Sequence, residues 1–182
     1  VHDPELTQNF IAQLQIARSP TSSQQEHSNL IYSENLLTFP AQRFPAYSAF
    51  HVLNFLQKHC SLQSSLVLIC FSAGVVGGAG AAWAWQQLGG KIRALLALDG
   101  WGVPLYNSFP IYRFSHDYFT HWSSSFLGAG NDSFYADPPI EHLELWRSPQ
   151  TVQGWWVQPN QCQRTTAAAL INLLLARYGE SG

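Results

Sequence analysis

The residue in this 182-residue chain best placed to do chemistry is a serine. Leu66-Val67-Leu68-Ile69-Cys70-Phe71 is a run of strand formers that stops at Ser72, and Ala73 and Gly74 lead on into a Gly/Ala-rich stretch. A compact residue two places before a serine and a glycine two places after it let a strand turn sharply into a helix, with the hydroxyl at the apex. Cys70 and Gly74 occupy those two places. A serine hydroxyl is a weak nucleophile, so it needs an imidazole to take its proton and a carboxylate to orient that imidazole. N–H donors must also meet the oxyanion that forms. The backbone N–H of Ala73 would supply one, and the loop before the first helix, around His2 and Asp3, the second.

Partners for Ser72 are sought at the ends of predicted strands, where an α/β sheet gathers its functional residues. Read in chain order these ends give Ser72, Asp99, Asp117 and then the loop holding His142. Asp117 is the first choice for the acid and Asp99 its rival, with helix capping as the structural alternative for either. His142 is the choice for the base, while His116 and His121 are read as loop or cleft residues. Trp101, Tyr106, Tyr118, Phe119 and Trp122 either line an apolar acyl pocket or belong to the core. Cys70 is read as a buried thiol, because Leu68 would fill the small position two places before it. Gly74, Gly77, Gly78 and Gly80 lack both the Gly-Lys-Ser/Thr ending of a phosphate loop and the dinucleotide-binding spacing. No cofactor or metal is expected.

The elements that must position these residues follow from periodicity. A helix is predicted over 3–18, with Asp3 as N-cap, Pro4 at the first turn, and Phe10, Ile11, Leu14 and Ala17 on one face. After a polar loop over 19–29, Leu30-Ile31-Tyr32 suits a short strand, and a helix over 46–59 carries Ala46, Phe50, Leu53 and Leu56. The strand ending at Ser72 is followed by a helix to Leu88, stopped by Gly89-Gly90. Further strands are predicted over 92–98, 111–115 and 133–136, while 118–133 is ambiguous between helix and loop. Pro149 is expected to start a helix carrying Val152, Trp155 and Trp156, and 165–178 a terminal apolar helix. This alternation predicts an α/β fold: a mainly parallel sheet with helices on both faces.

Composition narrows the class. The length suits a single domain over 1–182 with a core of its own. Only 11% of residues are charged, against about 25% in typical domains, so Gln and Ser supply much of the polar surface. With a net charge of -2 and no basic cluster, nucleic-acid binding is excluded. Three cysteines without metal-ligand spacing suggest free thiols and a cytoplasmic setting. The uncharged run over 66–85 invites a membrane helix, but its change from Leu/Val/Ile to Gly/Ala at Ser72 fits strand then helix, and no membrane span is expected. The chain holds no methionine, so its first residue is not an initiator and an upstream leader stays open.

Together these motifs resemble the α/β-hydrolase superfamily. Cys70-Phe71-Ser72-Ala73-Gly74 is similar to its nucleophile elbow, with cysteine in place of the first glycine. Phe114-Ser115-His116-Asp117 resembles the strand end that delivers the acid, and His142-Leu143-Glu144-Leu145-Trp146 the histidine loop. The likeness runs over nearly the whole chain and implies a small serine esterase, lipase or thioesterase without a large lid. Its triad would be Ser72, Asp117 and His142, with Ala73 and His2 at the oxyanion hole, acting on an ester or thioester with an apolar portion. It further implies a central strand before the first helix, so that the chain would be either a fragment or an unusual variant lacking that strand. The alternative is a non-catalytic protein of the same fold that binds an apolar small molecule.

Overall fold

The computed structural model describes residues 4–17, 36–106, 108–128, 130 and 132–179. Six strands form one sheet in the order β1 (Ser65–Phe71), β2 (Lys91–Leu98), β3 (Ile111–Ser115), β4 (Asp132–Ala136), β5 (Gln153–Gln158) and β6 (Gln161–Thr166). The first four run parallel, and β4, β5 and β6 pair antiparallel. The fold is therefore α/β with a mixed sheet, parallel only in the part that leads to the predicted strand ends.

Two apolar clusters cover the two faces of the sheet. Ala94, Leu96 and Leu98 of β2 face Phe10 and Leu14 of α1 (Pro4–Ala17) and Leu170, Ile171 and Leu174 of α6 (Ala167–Gly179). Leu95 and Ala97 face the other way, toward Leu56 of α2 (Ala49–His59) and Val75, Ala79 and Trp85 of α3 (Gly74–Gln87). The period of two along a strand sends alternate residues to opposite cores, so a strand buried on both sides reads as continuously apolar. A register shift between Leu66 and Val67 changes the phase, which lets Ile92 join Leu95 on the α2/α3 side.

The Gly/Ala helix is α3, and its glycines mark close approach. A Cβ at Gly78 would lie 2.2 Å from the Cys70 sulfur, so only glycine allows α3 to lie this near β1. That contact desolvates the Cys70 thiol and pushes its pKa up to about 12, in keeping with a core role. The uncharged run at 66–85 is thus strand followed by helix, and no described helix is long and apolar enough to cross a membrane.

Two expectations change. The helix expected from Pro149 is instead the β5–β6 hairpin, in which Gly154 and Trp156 are buried on a strand and Trp155 pairs with Tyr135. A Cβ at Gly154 would meet the Tyr135 carbonyl oxygen at 2.1 Å, so this pairing depends on glycine. α2 starts at Ala49 under a Ser48 N-cap, and Phe50 is exposed rather than buried, while Leu56 does face the core. The ambiguous stretch after Asp117 contains α4 (Tyr118–Ser125), and α5 (Glu144–Arg147) follows the His142 loop. The expected Asp3 cap, the polar loop over 19–29 and the Leu30-Ile31-Tyr32 strand lie outside the described residues.

Candidate active site

Ser72 and Asp99 each follow the last residue of a parallel strand and share a backbone feature. Their φ angles are 53° and 54°, and they are the non-glycine residues with left-handed backbone among those described. Each such conformation costs about 1–3 kcal/mol and persists only where surrounding contacts impose it. Here the contacts are ladder bonds carried past the strand ends. Ser72 N–H donates to the Leu98 carbonyl at 2.9 Å, and Asp99 N–H to the Phe114 carbonyl at 2.7 Å. The ends of β1, β2 and β3 are thereby stitched side by side, with the Ser72 and Asp99 side chains in one cleft.

His142 bridges these two residues. Its Nε2 is 3.1 Å from Ser72 Oγ and its Nδ1 is 2.6 Å from Asp99 Oδ2. A carboxylate offers acceptors only, so the proton resides on Nδ1 and leaves Nε2 free to accept from the serine hydroxyl. Asp99 has a fully buried side chain, whereas that of His142 is 42% exposed and reachable from the cleft. Such a chain can raise the nucleophilicity of the serine and hold the imidazolium that results.

Rings support the histidine from behind. Phe71 stacks on His142 with centroids 4.8 Å apart, Trp146 stacks on Phe71 at 5.2 Å, and Phe10 on Trp146 at 3.8 Å. The column ties α1, α5 and the last residue of β1 to one imidazole. Its members are scattered along the chain, so no local pattern announced it.

Asp117 does not meet His142. Its Oδ1 accepts from the Thr120 N–H at 2.6 Å as the N-cap of α4, and its Oδ2 stands 3.6 Å from His116 Nε2. Burial raises its pKa, but the Thr120 hydrogen bonding and the nearby His116 outweigh this and hold it below the usual carboxylate range. The carboxylate in reach of His142 is that of Asp99, the rival candidate for the acid. The two aspartates both end strands, and only the sheet register decides between them.

His116 touches Asp99 as well, with Nδ1 at 2.9 Å from Oδ1 and 2.7 Å from Oδ2. Asp99, His116 and His142 place ligand-type atoms within 4.8 Å of one another, a donor set that zinc accepts. Both ring nitrogens, however, lie 2.7 Å or less from the same oxygen. Ligands around a tetrahedral zinc stand about 3.3 Å apart. The carboxylate would have to withdraw to admit an ion, and hydrogen bonding accounts for the cluster as it stands.

The cleft is an open cavity of about 520 Å3 between the strand ends and α4, with Trp101, Val103 and Phe119 beside Ser72. Of the five predicted pocket aromatics, Trp101 and Phe119 line it. Tyr106 lines a second depression with Trp83, and Tyr118 leans edge-on against Tyr135. All five are exposed, from 50% at Trp122 to 70% at Tyr106, so none belongs to the core. Ala73 is exposed where α3 begins and lines the cleft beside Ser72, while His2 lies outside the described residues.

Arg113, which the sequence reading left without a role, holds the rim. Buried in β3, it donates to the carbonyls of Val103, Leu127 and Gly128 at 2.6 to 2.9 Å, tying the β2–β3 loop to the loop that follows α4. Burial pushes its guanidinium down to about 10, partly opposed by Tyr106. A lone charge within Ile111-Tyr112-Arg113-Phe114-Ser115 was the available signal.

Comparison with protein-family models, with curated proteins and with solved structures gave no match.

Proposed function

We propose that this protein is a serine hydrolase of the α/β-hydrolase kind, acting on an ester or thioester with an apolar acyl or aromatic portion. The observation that carries the reading is the chain Ser72 Oγ, His142 Nε2 and Nδ1, Asp99 Oδ2, with the serine held in a left-handed turn between strand and helix. Ser72 Oγ attacks the carbonyl carbon as its proton passes to His142 Nε2, and the carbonyl π electrons move onto oxygen. Asp99 keeps the imidazolium in line. Collapse of the tetrahedral species expels the alcohol or thiol, which takes the proton from Nε2, and leaves Ser72 acylated. Water then repeats the sequence, giving its proton to His142, and Ser72 recovers that proton when the acid departs. The Ala73 N–H serves as one oxyanion donor, a contribution of about 3 kcal/mol to the barrier.

Trp101, Val103 and Phe119 beside Ser72 favour an apolar group over a charged one. Binding without turnover is less well supported, because it gives no account of two strained residues hydrogen-bonded through one imidazole. The test is a fluorophosphonate probe, which should label the folded protein at Ser72 and leave Ser72→Ala unlabelled. Absence of labelling, or equal labelling of the variant, would falsify the reading.

A further inference from the structure

The fully buried Asp99 carboxylate is served by two histidines where one would complete the chain to Ser72. We propose that His116 is a positioning residue whose ring fixes Asp99 so that Oδ2 stays aligned on His142; this role rests on the hydrolase reading above. A buried carboxylate needs donors on both oxygens. Oδ2 receives His142 Nδ1–H at 2.6 Å and shares His116 Nδ1–H at 2.7 Å. For Oδ1 the donors among the described residues come from His116 alone, its backbone N–H at 3.2 Å and its ring at 2.9 Å. Without the ring, Oδ1 keeps one long bond, the carboxylate is free to pivot about its last torsion, and Oδ2 leaves the line to Nδ1.

The backbone of His116 acts on the same geometry from the other side. Its carbonyl accepts from the Ile140 N–H at 3.1 Å, at the root of the loop that presents His142 two residues later. One residue therefore grips the acid by its side chain and the base's loop by its main chain. A side-chain substitution removes the first contact and leaves the second. The His116 ring also stands nearly perpendicular to that of His142, at a centroid distance of 6.0 Å, while its far nitrogen faces Asp117.

The experiment compares His116→Ala, His116→Asn and His116→Gln with the unmodified chain, using a p-nitrophenyl ester and the rate of fluorophosphonate labelling of Ser72. Removal of a group that orients another costs about tenfold to a hundredfold, so kcat of His116→Ala should fall by that factor. KM should change less than kcat, because the ring, although it borders the cleft, acts on the rate through Asp99. Asparagine places an amide N–H near the position of Nδ1 and should restore most of kcat. Glutamine carries its amide further out, near the position of Nε2, and should not; this pair decides the matter if the alanine variant does not fold. In proton NMR, the downfield Nδ1–H resonance of His142 should persist in His116→Asn and broaden in His116→Gln. Labelled Ser72 with an unchanged kcat in His116→Ala, or asparagine no better than glutamine, overturns the role of His116 and leaves the hydrolase reading standing. No labelling of the folded, unmodified chain overturns the hydrolase reading and this role with it.

Discussion

At the scale of single residues, the two aspartates that end strands have separate tasks, and substitution tells them apart. Asp99 is fully buried and hydrogen-bonded to the proposed base, whereas Asp117 is partly exposed and caps α4. Asp99→Asn keeps the shape but presents an amide where the imidazole needs an acceptor, which favours the wrong tautomer. We expect kcat/KM to fall by about 10⁴-fold, the cost of that error in a Ser-His-Asp site. Asp117→Asn retains a good N-cap and should keep activity within about tenfold and stability within about 0.5 kcal/mol. Ester kinetics and thermal melts of the two variants check this, and the reverse order of losses would return the acid to Asp117. The outcome matters because the sequence alone offers two candidates and favours Asp117 over Asp99. What separates them is the bond from Asp99 N–H to Phe114 O, a fact of register between β2 and β3.

At the scale of elements, the end of β2 and the start of α4 supply the apolar lining of the cleft, and on the proposed function they should select its substrate. Trp101 follows β2 and donates its indole N–H to Ser123 of α4 at 3.0 Å, while Phe119 stands on the first turn of α4. Both rings border the cavity and both are more than half exposed, so each has apolar area still to be buried by a ligand. Covering roughly half of such a ring is worth about 1–1.5 kcal/mol, or nearly tenfold. Phe119→Ala should therefore lower kcat/KM about tenfold for an octanoyl ester and change it little for an acetyl ester. Equal losses on both esters would show that the ring supports the fold and does not contact the acyl chain. Elements of this kind were legible where composition marks them, as in the unbroken apolar runs of β1 and β2, the Gly/Ala stretch of α3 and the apolar spacing of α6. The β5–β6 hairpin was not. Val152, Trp155 and Trp156 fall at helical spacing, and Gln161–Thr166 is an exposed polar strand without apolar alternation. The decisive feature, the close fit of Gly154 against Tyr135, exists only once β4 is in place. The column of Phe10, Trp146, Phe71 and His142 was hidden for the same reason.

At the scale of the whole molecule, low charge leaves few groups to govern acid stability, and one histidine should be visible among them. His121 packs between Tyr118 and Tyr135, at centroid distances of 6.1 and 5.0 Å, and burial pushes its pKa below the usual histidine value. The folded state therefore holds this ring neutral at pH values where the unfolded chain already binds a proton. Stability follows the difference in bound protons, so it rises with pH while the unfolded state binds more. The contribution is complete above about 6.5, the ordinary value, and is lost as pH falls from there through the folded value. Asp117 and Asp137 also have lowered values, and their contributions fail at more acidic pH, below the ordinary carboxylate range near 4. The two windows are separable. We expect the melting temperature to decline from pH 7.5 to 5.5, and His121→Leu, which keeps an apolar group against the tyrosines and removes the titration, to flatten that decline. Every other titratable group is common to the two proteins, so the difference between the two melting curves isolates His121. A difference that does not change with pH would mean that His121 is hydrated in the folded state and does not carry the acid sensitivity of the molecule.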